Sequence, residues 1–232
     1  MTGVLALETA TDACSVAVSL DGILRERCVV APRQHSQQVF ALLSELLPAG
    51  RLDRQGIDVV AYGAGPGSFT GLRIAASTAQ GLAFSSGLPA IPVSTLAALA
   101  QGALRCGSVQ AQESVLCVLD ARINEVYSAI YVFHDGLAVL QQGPWACAPA
   151  DLAPTGSEPL CAVGNGCRFL EQLPDPVRAR VSVRAPDLLP GARDIIPLAL
   201  ASFERGEIQA ARMIQPVYVR DEIGWKKLAE PL

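Results

Sequence analysis

The chain contains 232 residues, of which 50% are hydrophobic and 17% are charged, and its formal net charge is −4. This length suits one large domain or two small ones, and the hydrophobic content excludes an intrinsically disordered chain. A protein that holds nucleic acid by itself usually presents a basic face. The acidic balance therefore does not favour direct nucleic-acid binding by this chain.

The seven cysteines show no Cys-x-x-Cys spacing, and most lie in apolar surroundings, as Cys117 does within residues 115–119. This pattern favours reduced core cysteines in a cytosolic protein over disulfides or a metal site. The N-terminus shows no basic region followed by a cleavable apolar segment, and no apolar run reaches membrane-spanning length. We therefore expect a cytoplasmic protein without membrane association.

Strands and helices alternate along the first half of the sequence. The strands come from short apolar runs bounded by turn residues, and the helices from apolar residues at helical spacing. The predicted elements are strands at 4–7, 14–20 and 23–30, a helix at 35–47, a strand at 57–62, a helix at 69–86, a strand at 91–93 and a helix at 96–104. An acidic turn at 8–12 and the Asp21-Gly22 turn join the first three strands into a predicted meander.

A glycine-rich stretch, Gly-Ala-Gly-Pro-Gly-Ser-Phe-Thr-Gly-Leu-Arg over 63–73, connects a predicted strand to a predicted helix. Ser68 is placed to cap that helix, and such a junction points backbone N–H groups and the positive helix end at one place. A dinucleotide loop would need glycine where Thr70 stands, and a Walker loop needs a lysine that is absent. A tight turn, an anion site and a catalytic Ser68 all remain open on these residues.

The second half repeats the pattern of the first. After a glycine- and glutamine-containing boundary at 102–112, strands are predicted at 115–119, 126–133 and 137–141, again with an acidic turn and an Asp-Gly turn between them. We therefore predict a duplicated α/β fold with lobes at 1–104 and 112–232. The remaining predictions are a loop at 144–159, a strand at 160–163, a helix at 168–173, an irregular stretch at 174–190, a helix at 193–205, a strand-like piece at 215–220 and a loose tail at 224–232.

Residue types for metal chemistry are sparse. The two histidines, His35 and His134, are far apart in sequence, and no histidine or cysteine cluster has metal-ligand spacing, so we predict no metal site. Glu8, Asp12 and Asp120 would suit a magnesium–nucleotide site if the fold brought them to one cleft.

Several segments, in order along most of the chain, resemble the TsaB family, also written YeaZ. The most specific is Gly-Pro-Gly-Ser-Phe-Thr-Gly-Leu-Arg-Ile at 65–74; the others are at 5–16, 35–37, 120–122 with 126–127, and 216–220. TsaB is the bacterial subunit needed to make N6-threonylcarbamoyladenosine in tRNA. It is similar to TsaD, the catalytic subunit that transfers the threonylcarbamoyl group from an adenylate to adenosine.

The resemblance implies a two-lobed actin/hexokinase/Hsp70-like fold built from ribonuclease-H-like domains, with the helix at 193–205 as a candidate to pack back on the first lobe. It also implies that the metal centre of TsaD has been lost. Thr95 and Leu99 stand where TsaD carries metal-binding histidines, and Asp194 stands near its metal-ligand aspartate.

By resemblance, the chain is a non-catalytic subunit that pairs with TsaD through the helices at 35–47 and 69–86, works with TsaE, and forms a homodimer when TsaD is absent. It would contact tRNA only through the complex and bind no cofactor alone, because ATP and magnesium would be used through the partners. The expected partner-binding residues are His35, Val39, Leu42, Leu46, Phe69, Leu72, Arg73, Ala76 and Gln80. The candidate nucleotide-facing residues are Glu8, Thr9, Asp12, Gly65, Gly67 and Ser68.

Two enzymatic alternatives stay open. The first is an ATPase or kinase of the same fold that uses Glu8, Asp12 and the loop at 65–70. The second is a peptidase, for which Ser68 is the candidate nucleophile.

Overall fold

The computed structural model describes residues 1–219 of the chain. Two five-stranded sheets, each flanked by helices, form two α/β lobes. The first lobe contains β1 (Val4–Glu8), β2 (Ala13–Leu20), β3 (Ile23–Val30), α1 (His35–Leu46), β4 (Val59–Gly65), α2 (Phe69–Ser86) and β5 (Ala90–Ser94). Helix α3 (Thr95–Arg105) follows and packs mainly in the core of the second lobe. The rest of the chain adds β6 (Ser114–Arg122), β7 (Glu125–His134), β8 (Leu137–Cys147), β9 (Leu160–Val163), α4 (Asp175–Arg178), β10 (Val181–Ala185) and α5 (Ala192–Glu204).

The two sheets have the same topology. The first sheet is ordered β3-β2-β1-β4-β5 and the second β8-β7-β6-β9-β10. The strands of the second sheet therefore follow the order of the first, with β6 in the place of β1 at the centre. In each, the first three strands form an antiparallel meander and the last two run parallel to the first. The duplication and the two-lobed actin/hexokinase/Hsp70-like fold with ribonuclease-H-like lobes are therefore confirmed.

Helices cover both faces of the first sheet. On one face, the apolar stripe of α1 and the small residues of α2 pack with β1, β2 and β4 in one core cluster. On the other, α5 packs through Ile195, Ile196 and Ala199 against Val4 and Val59. The Ala192 backbone N–H also donates to the Ser15 hydroxyl at 2.8 Å. The helix at the C-terminal end thus returns to the first lobe, because that sheet face would otherwise expose its apolar side chains.

The chain continues over the first lobe after α5. Gln209 and Ala90 form an antiparallel bridge, and the Tyr62 hydroxyl donates to the Gln215 carbonyl at 3.1 Å. The Val217 N–H donates to the Ala64 carbonyl at 2.8 Å. Residues 211–219 therefore lie beside β4 and α2.

Several local predictions differ from the structure. Residues 181–185, expected to be irregular, form β10, which pairs in parallel with β9. Strand β8 extends to Cys147 through Pro144, where a loop was expected; an edge strand with register shifts tolerates this proline. The predicted helix at 168–173 is instead a 3-10 helix over Asn165–Gln172. Residues 214–219 are irregular rather than strand-like, and 220 with the predicted tail at 224–232 lies outside the described residues.

All seven cysteines are free, and Cys14, Cys117, Cys161 and Cys167 are buried. A search of the described residues for a helix long and apolar enough to cross a membrane finds none.

Candidate functional site

A cleft of about 1370 Å³ separates the two lobes. The first lobe contributes the turn after β1, the residues around the start of α1, and the glycine loop before α2. The second lobe contributes the β6–β7 turn, with Asn165 and Arg168. Val217–Val219 lie at the same opening. His35 also lines the cleft although its side chain is 8% exposed, and its Nε2 makes no hydrogen bond within residues 1–219.

The glycine loop is held against the turn that follows β1. The Ser68 backbone N–H donates to the Ala10 carbonyl at 2.7 Å, and the Thr9 hydroxyl donates to the Gly71 carbonyl at 2.7 Å. A Cβ on Gly67 would lie 2.6 Å from the Ala10 carbonyl oxygen, and one on Gly71 would collide with the Thr9 carbonyl oxygen. These glycines are therefore required by close approach of the chain to itself. Ser68 caps α2 by accepting from the Gly71 N–H at 3.4 Å.

The structure places Asp12, Gly67 and Ser68, of the candidate nucleotide-facing residues, on the cleft. Glu8, Thr9 and Gly65 are buried behind it instead. The short chain segment between β1 and β2 turns the Glu8 and Thr9 side chains into the interior, where each has a hydrogen-bonded partner.

Arginines bridge the acidic residues at the mouth of the cleft. Asp120 accepts from Arg168 Nη2 at 2.6 Å and lies 3.4 Å from Arg122 Nη1, while Arg122 Nη2 is 3.7 Å from Asp12 across the cleft. The Asn165 side chain accepts from the Asp120 backbone N–H at 3.0 Å. Asp12 and Asp120 thus do converge, and both lie within ion-pair distance of the Arg122 guanidinium.

The residues that the resemblance led us to expect at the TsaD metal positions have other partners. The Thr95 hydroxyl donates to Glu8 Oε2 at 3.2 Å, and Leu99 is fully buried in the core of the second lobe. Asp194 is 2% exposed and forms two hydrogen bonds with Arg105 at 2.6 and 3.2 Å. Within residues 1–219, no group of three or more histidine, cysteine, aspartate or glutamate residues could hold a metal ion.

Glu8 is completely buried, and this burial raises the pKa of its carboxyl to about 7. Hydrogen bonds from the Ala10 N–H, at 2.7 Å, and from Thr95 act in the opposite direction but do not cancel the desolvation. The backbone of β4 also packs against this carboxyl group, because a Cβ on Gly63 would collide with it.

Most of the expected partner-binding residues lie inside the monomer. The buried ones, all 8% exposed or less, are His35, Val39, Leu42, Leu46, Leu72 and Ala76. An amphipathic helix turns its apolar stripe toward its own sheet, and the stripe of α1 does so here. Val39, Leu42 and Leu46 face the sheet, whereas His35 and Leu72 line the cleft and Ala76 lines a groove beside α2. Gln80 is half-buried and donates to the Ala211 carbonyl at 3.1 Å.

The outward surfaces of α1 and α2 carry isolated aromatic residues. Phe40 is 55% exposed, Phe69 is 48% exposed and Phe84 is 77% exposed. We call the set Phe40, Phe69, Arg73 and Phe84 the outer helix face. The helical spacing in the sequence could have identified these residues, because Phe40 lies beside the apolar stripe of α1 and Phe84 lies on the same side of α2 as Arg73.

Arg73 is held in place by two aromatic rings. Its guanidinium carbon lies 3.8 Å from the centroid of the Phe69 ring, and its Nε donates to the Tyr218 hydroxyl at 3.2 Å. The Phe69 and Tyr218 rings are themselves 5.6 Å apart. Because Tyr218 is 145 residues from Arg73 in sequence, no local pattern could have identified this partner.

A model of the family described as "TsaD: tRNA N6-adenosine threonylcarbamoyltransferase" matches residues 22–168. The chain is 36% identical over 230 residues to the tRNA threonylcarbamoyladenosine biosynthesis protein TsaB of Escherichia coli, covering 97% of each. It is 33% identical over 236 residues to the Haemophilus influenzae protein of the same name, covering 97% of this chain and 96% of that one. The solved structure of YeaZ from Pseudomonas aeruginosa superposes with a TM-score of 0.83 at 36% identity, over 94% of this chain and 100% of the other. The chain therefore belongs to the TsaB (YeaZ) family.

Proposed function

We propose that this chain is a non-catalytic subunit of the machinery that makes N6-threonylcarbamoyladenosine in tRNA, and that it pairs with TsaD and works with TsaE. The names of its E. coli and H. influenzae relatives support the pathway, and the TsaD family model supports kinship with the proposed partner. The observation that carries the pairing is the outer helix face.

The outer helix face has the composition of a protein interface. Aromatic residues and arginine are enriched at the centres of interfaces, and burying one phenylalanine side chain stabilises a complex by about 1.5–3 kcal/mol before the costs of association. Phe84 is 77% exposed and Phe40 is 55% exposed, so much of their apolar surface is available to a partner. Arg73 is the one charged residue of α2, so a second helix could approach with little desolvation of charge.

The charges of the cleft favour a supporting role over catalysis. A magnesium–nucleotide site needs carboxylates that are free to coordinate the ion. Arg168 and Arg122 neutralise Asp120, and Arg122 also lies near Asp12. Glu8 lies in the interior with a pKa raised to about 7 by burial. In this proposal the chain binds no cofactor by itself, and ATP and magnesium are used through the partners.

The mildly acidic balance of the chain is consistent with an indirect relationship to tRNA. With a net charge of −4, the protein lacks the excess of basic residues that phosphate-backbone binding requires. The subunit would therefore meet tRNA through the assembled complex, in the cytoplasm.

The pairing is tested by co-purification with TsaD from the same organism. Leu72 is 2% exposed, so an aspartate there would disturb folding as well as pairing. Phe84→Ser and Phe40→Ser are cleaner, and we expect each to weaken pairing with TsaD at least tenfold while the thermal melting temperature stays close to that of the wild type. Val183→Ser is the matched control, because Val183 is 52% exposed but lies on β10 of the other lobe.

Equal pairing by folded Phe84→Ser and wild-type protein would contradict the proposed interface. Without TsaD, we expect the outer helix face to form a homodimer. Sedimentation of Phe84→Ser should then show a monomer where the wild type shows a dimer.

The cleft supports a second candidate function, a nucleotide-dependent enzyme. Its volume of about 1370 Å³ would accommodate a nucleotide, and the glycine loop and α2 N-terminus border it. Calorimetric titration of the isolated chain with magnesium–ATP tests this. Tight binding that Asp12→Asn abolishes would favour the enzyme over the supporting subunit. For the peptidase alternative, any cleavage retained by Ser68→Ala would exclude Ser68 as the nucleophile.

A further inference from the structure

We propose that Arg73 is the receptor for a carboxylate side chain on the TsaD helix that packs against α2, and that the groove beside Arg73 takes an apolar side chain from that same helix. This inference rests on the proposed pairing with TsaD and adds the chemistry by which α2 would select its partner.

The Arg73 guanidinium is already oriented in the free subunit. Phe69 stacks against it at 3.8 Å, and Tyr218 accepts a hydrogen bond from its Nε at 3.2 Å. An arginine side chain loses considerable rotamer freedom when it is immobilised at an interface. Two aromatic rings that fix it beforehand reduce this cost at the moment of binding. Its terminal nitrogens, the fork that matches a carboxylate, make no hydrogen bond within residues 1–219.

The described residues supply no acidic partner for Arg73. Some exposed arginines of residues 1–219 pair with carboxylates, as Arg27 does with Glu45 at 2.8 Å and Arg51 with Asp53 at 3.0 Å, whereas others, such as Arg54, do not. No carboxylate oxygen of residues 1–219 lies close enough to the Arg73 guanidinium to form an ion pair with it. Helix α2 itself contains no acidic residue. An oriented cation in an apolar setting is therefore complementary to a carboxylate supplied from outside.

The groove next to Arg73 indicates what accompanies the carboxylate. It has a volume of about 540 Å³ and lies between α2 and the segment that contains Ile214 and Pro216. Ile74 and Ala76 contribute apolar lining, while Arg73 and Gln80 contribute polar groups. An apolar floor beside one charged group fits a protein helix that presents an apolar residue one turn from an acidic one.

A protein carboxylate fits this site better than a phosphate does. Among residues 1–219, Arg73 is the one basic residue that lines the groove, and the whole chain has a net charge of −4. Recognition of a nucleic-acid backbone relies on several basic residues acting together. A single stacked guanidinium within apolar surroundings instead resembles the arginine anchors of protein interfaces.

The test measures the dissociation constant of the complex between this chain and purified TsaD by calorimetry at two salt concentrations. We expect Arg73→Gln to raise the dissociation constant at least tenfold and to reduce its salt dependence. Tyr218→Phe keeps the ring but loses the hydrogen bond, so we expect a smaller increase of about two- to fivefold. Arg54→Gln is the matched control, because Arg54 is exposed on the first lobe outside α2 and the groove; we expect no change.

A charge exchange completes the test. Arg73→Glu should prevent pairing, and an acidic-to-arginine substitution on the facing TsaD helix should restore it. An unchanged dissociation constant for Arg73→Gln would overturn this inference, and if Phe84→Ser still weakened pairing, the proposed function would survive it. If wild-type protein failed to pair with TsaD, the proposed function and this inference would both fall. If Arg73→Gln weakened only the binding of tRNA to the complex, the acceptor would be a phosphate and the inference would be wrong.

Discussion

The Thr95 hydroxyl donates a hydrogen bond to Glu8 Oε2 at 3.2 Å and so joins the start of α3 to the end of β1. Both residues are completely buried. Next to them, Ser94 and Tyr131 place their hydroxyl oxygens 3.1 Å apart, which connects β5 of the first lobe to β7 of the second. The carboxyl group of Glu8 therefore lies close to the place where the lobes join, in an environment that disfavours its charge.

Replacing Glu8 by glutamine should change how stability depends on pH. The folded pKa of Glu8 is raised from 4.5 to about 7 by burial, so the folded state binds its proton more tightly than the unfolded state does. The stabilisation from the proton is present below pH 4.5 and is lost as pH rises through 7. The wild type should therefore lose about 2–3 kcal/mol relative to Glu8→Gln between pH 5 and pH 8.

Urea unfolding at pH 5 and pH 8 gives the change in the free energy of unfolding between the two pH values for each protein. Subtracting the change for Glu8→Gln from that for the wild type isolates the contribution of Glu8, because other titrating groups contribute equally to both. Thr95→Val serves as a control that keeps the carboxyl group but removes one of its hydrogen-bond donors. Parallel pH profiles for wild type and Glu8→Gln would contradict a raised pKa at Glu8.

Breaking the ion pair between Arg105 and Asp194 should destabilise the contact between α3 and α5. Asp194 is 2% exposed, whereas the Arg105 side chain is 42% exposed. Breaking this pair should therefore lower the free energy of unfolding by less than breaking a fully buried pair would. We expect Arg105→Met to lower the free energy of unfolding by about 1–3 kcal/mol, because it leaves a buried carboxylate with fewer partners.

The double variant Arg105→Met/Asp194→Asn tests the cause of that loss. If the uncompensated charge is responsible, neutralising it should recover part of the stability, and a double-mutant cycle should give a coupling energy of at least about 0.5 kcal/mol. Strict additivity of the two substitutions would show that the ion pair does not couple the helices.

Local patterns predicted the elements of this fold better than they predicted the site. The periodicity of Val39, Leu42 and Leu46 identified α1 and its apolar stripe, and the repeated meander identified the duplicated sheet topology. The same periodicity cannot distinguish a stripe that faces its own sheet from one that faces a partner. In this structure the stripe faces the sheet, and the exposed large hydrophobic residue of α1 is Phe40.

Long-range pairs account for most of what the sequence could not predict. Arg105 meets Asp194 across 89 residues, and Arg73 meets Tyr218 across 145. Neither member of these pairs has a neighbour in sequence that signals the other. The turn at 8–12 shows the same limit: its acidic composition suggested a cleft, but only the fold shows that Asp12 lines the cleft while Glu8 lies in the interior.

Gly71→Ala should be the most damaging small substitution in the glycine loop. Its Cβ would collide with the Thr9 carbonyl oxygen, which is backbone and cannot rotate away. The Thr9 side chain also donates to the Gly71 carbonyl at 2.7 Å, so any shift of α2 would weaken this buried hydrogen bond. We expect a loss of about 2–4 kcal/mol in the free energy of unfolding, measured by urea denaturation.

Gly81→Ala is the matched control on the same helix. A Cβ at Gly81 would meet no atom within 4 Å, so the higher helix propensity of alanine should raise stability by about 0.5–1 kcal/mol. The two substitutions add the same methyl group to α2, so opposite signs would assign the loss at position 71 to its contact with Thr9. Equal effects at both positions would show that the close approach of the loop to the turn after β1 does not limit stability.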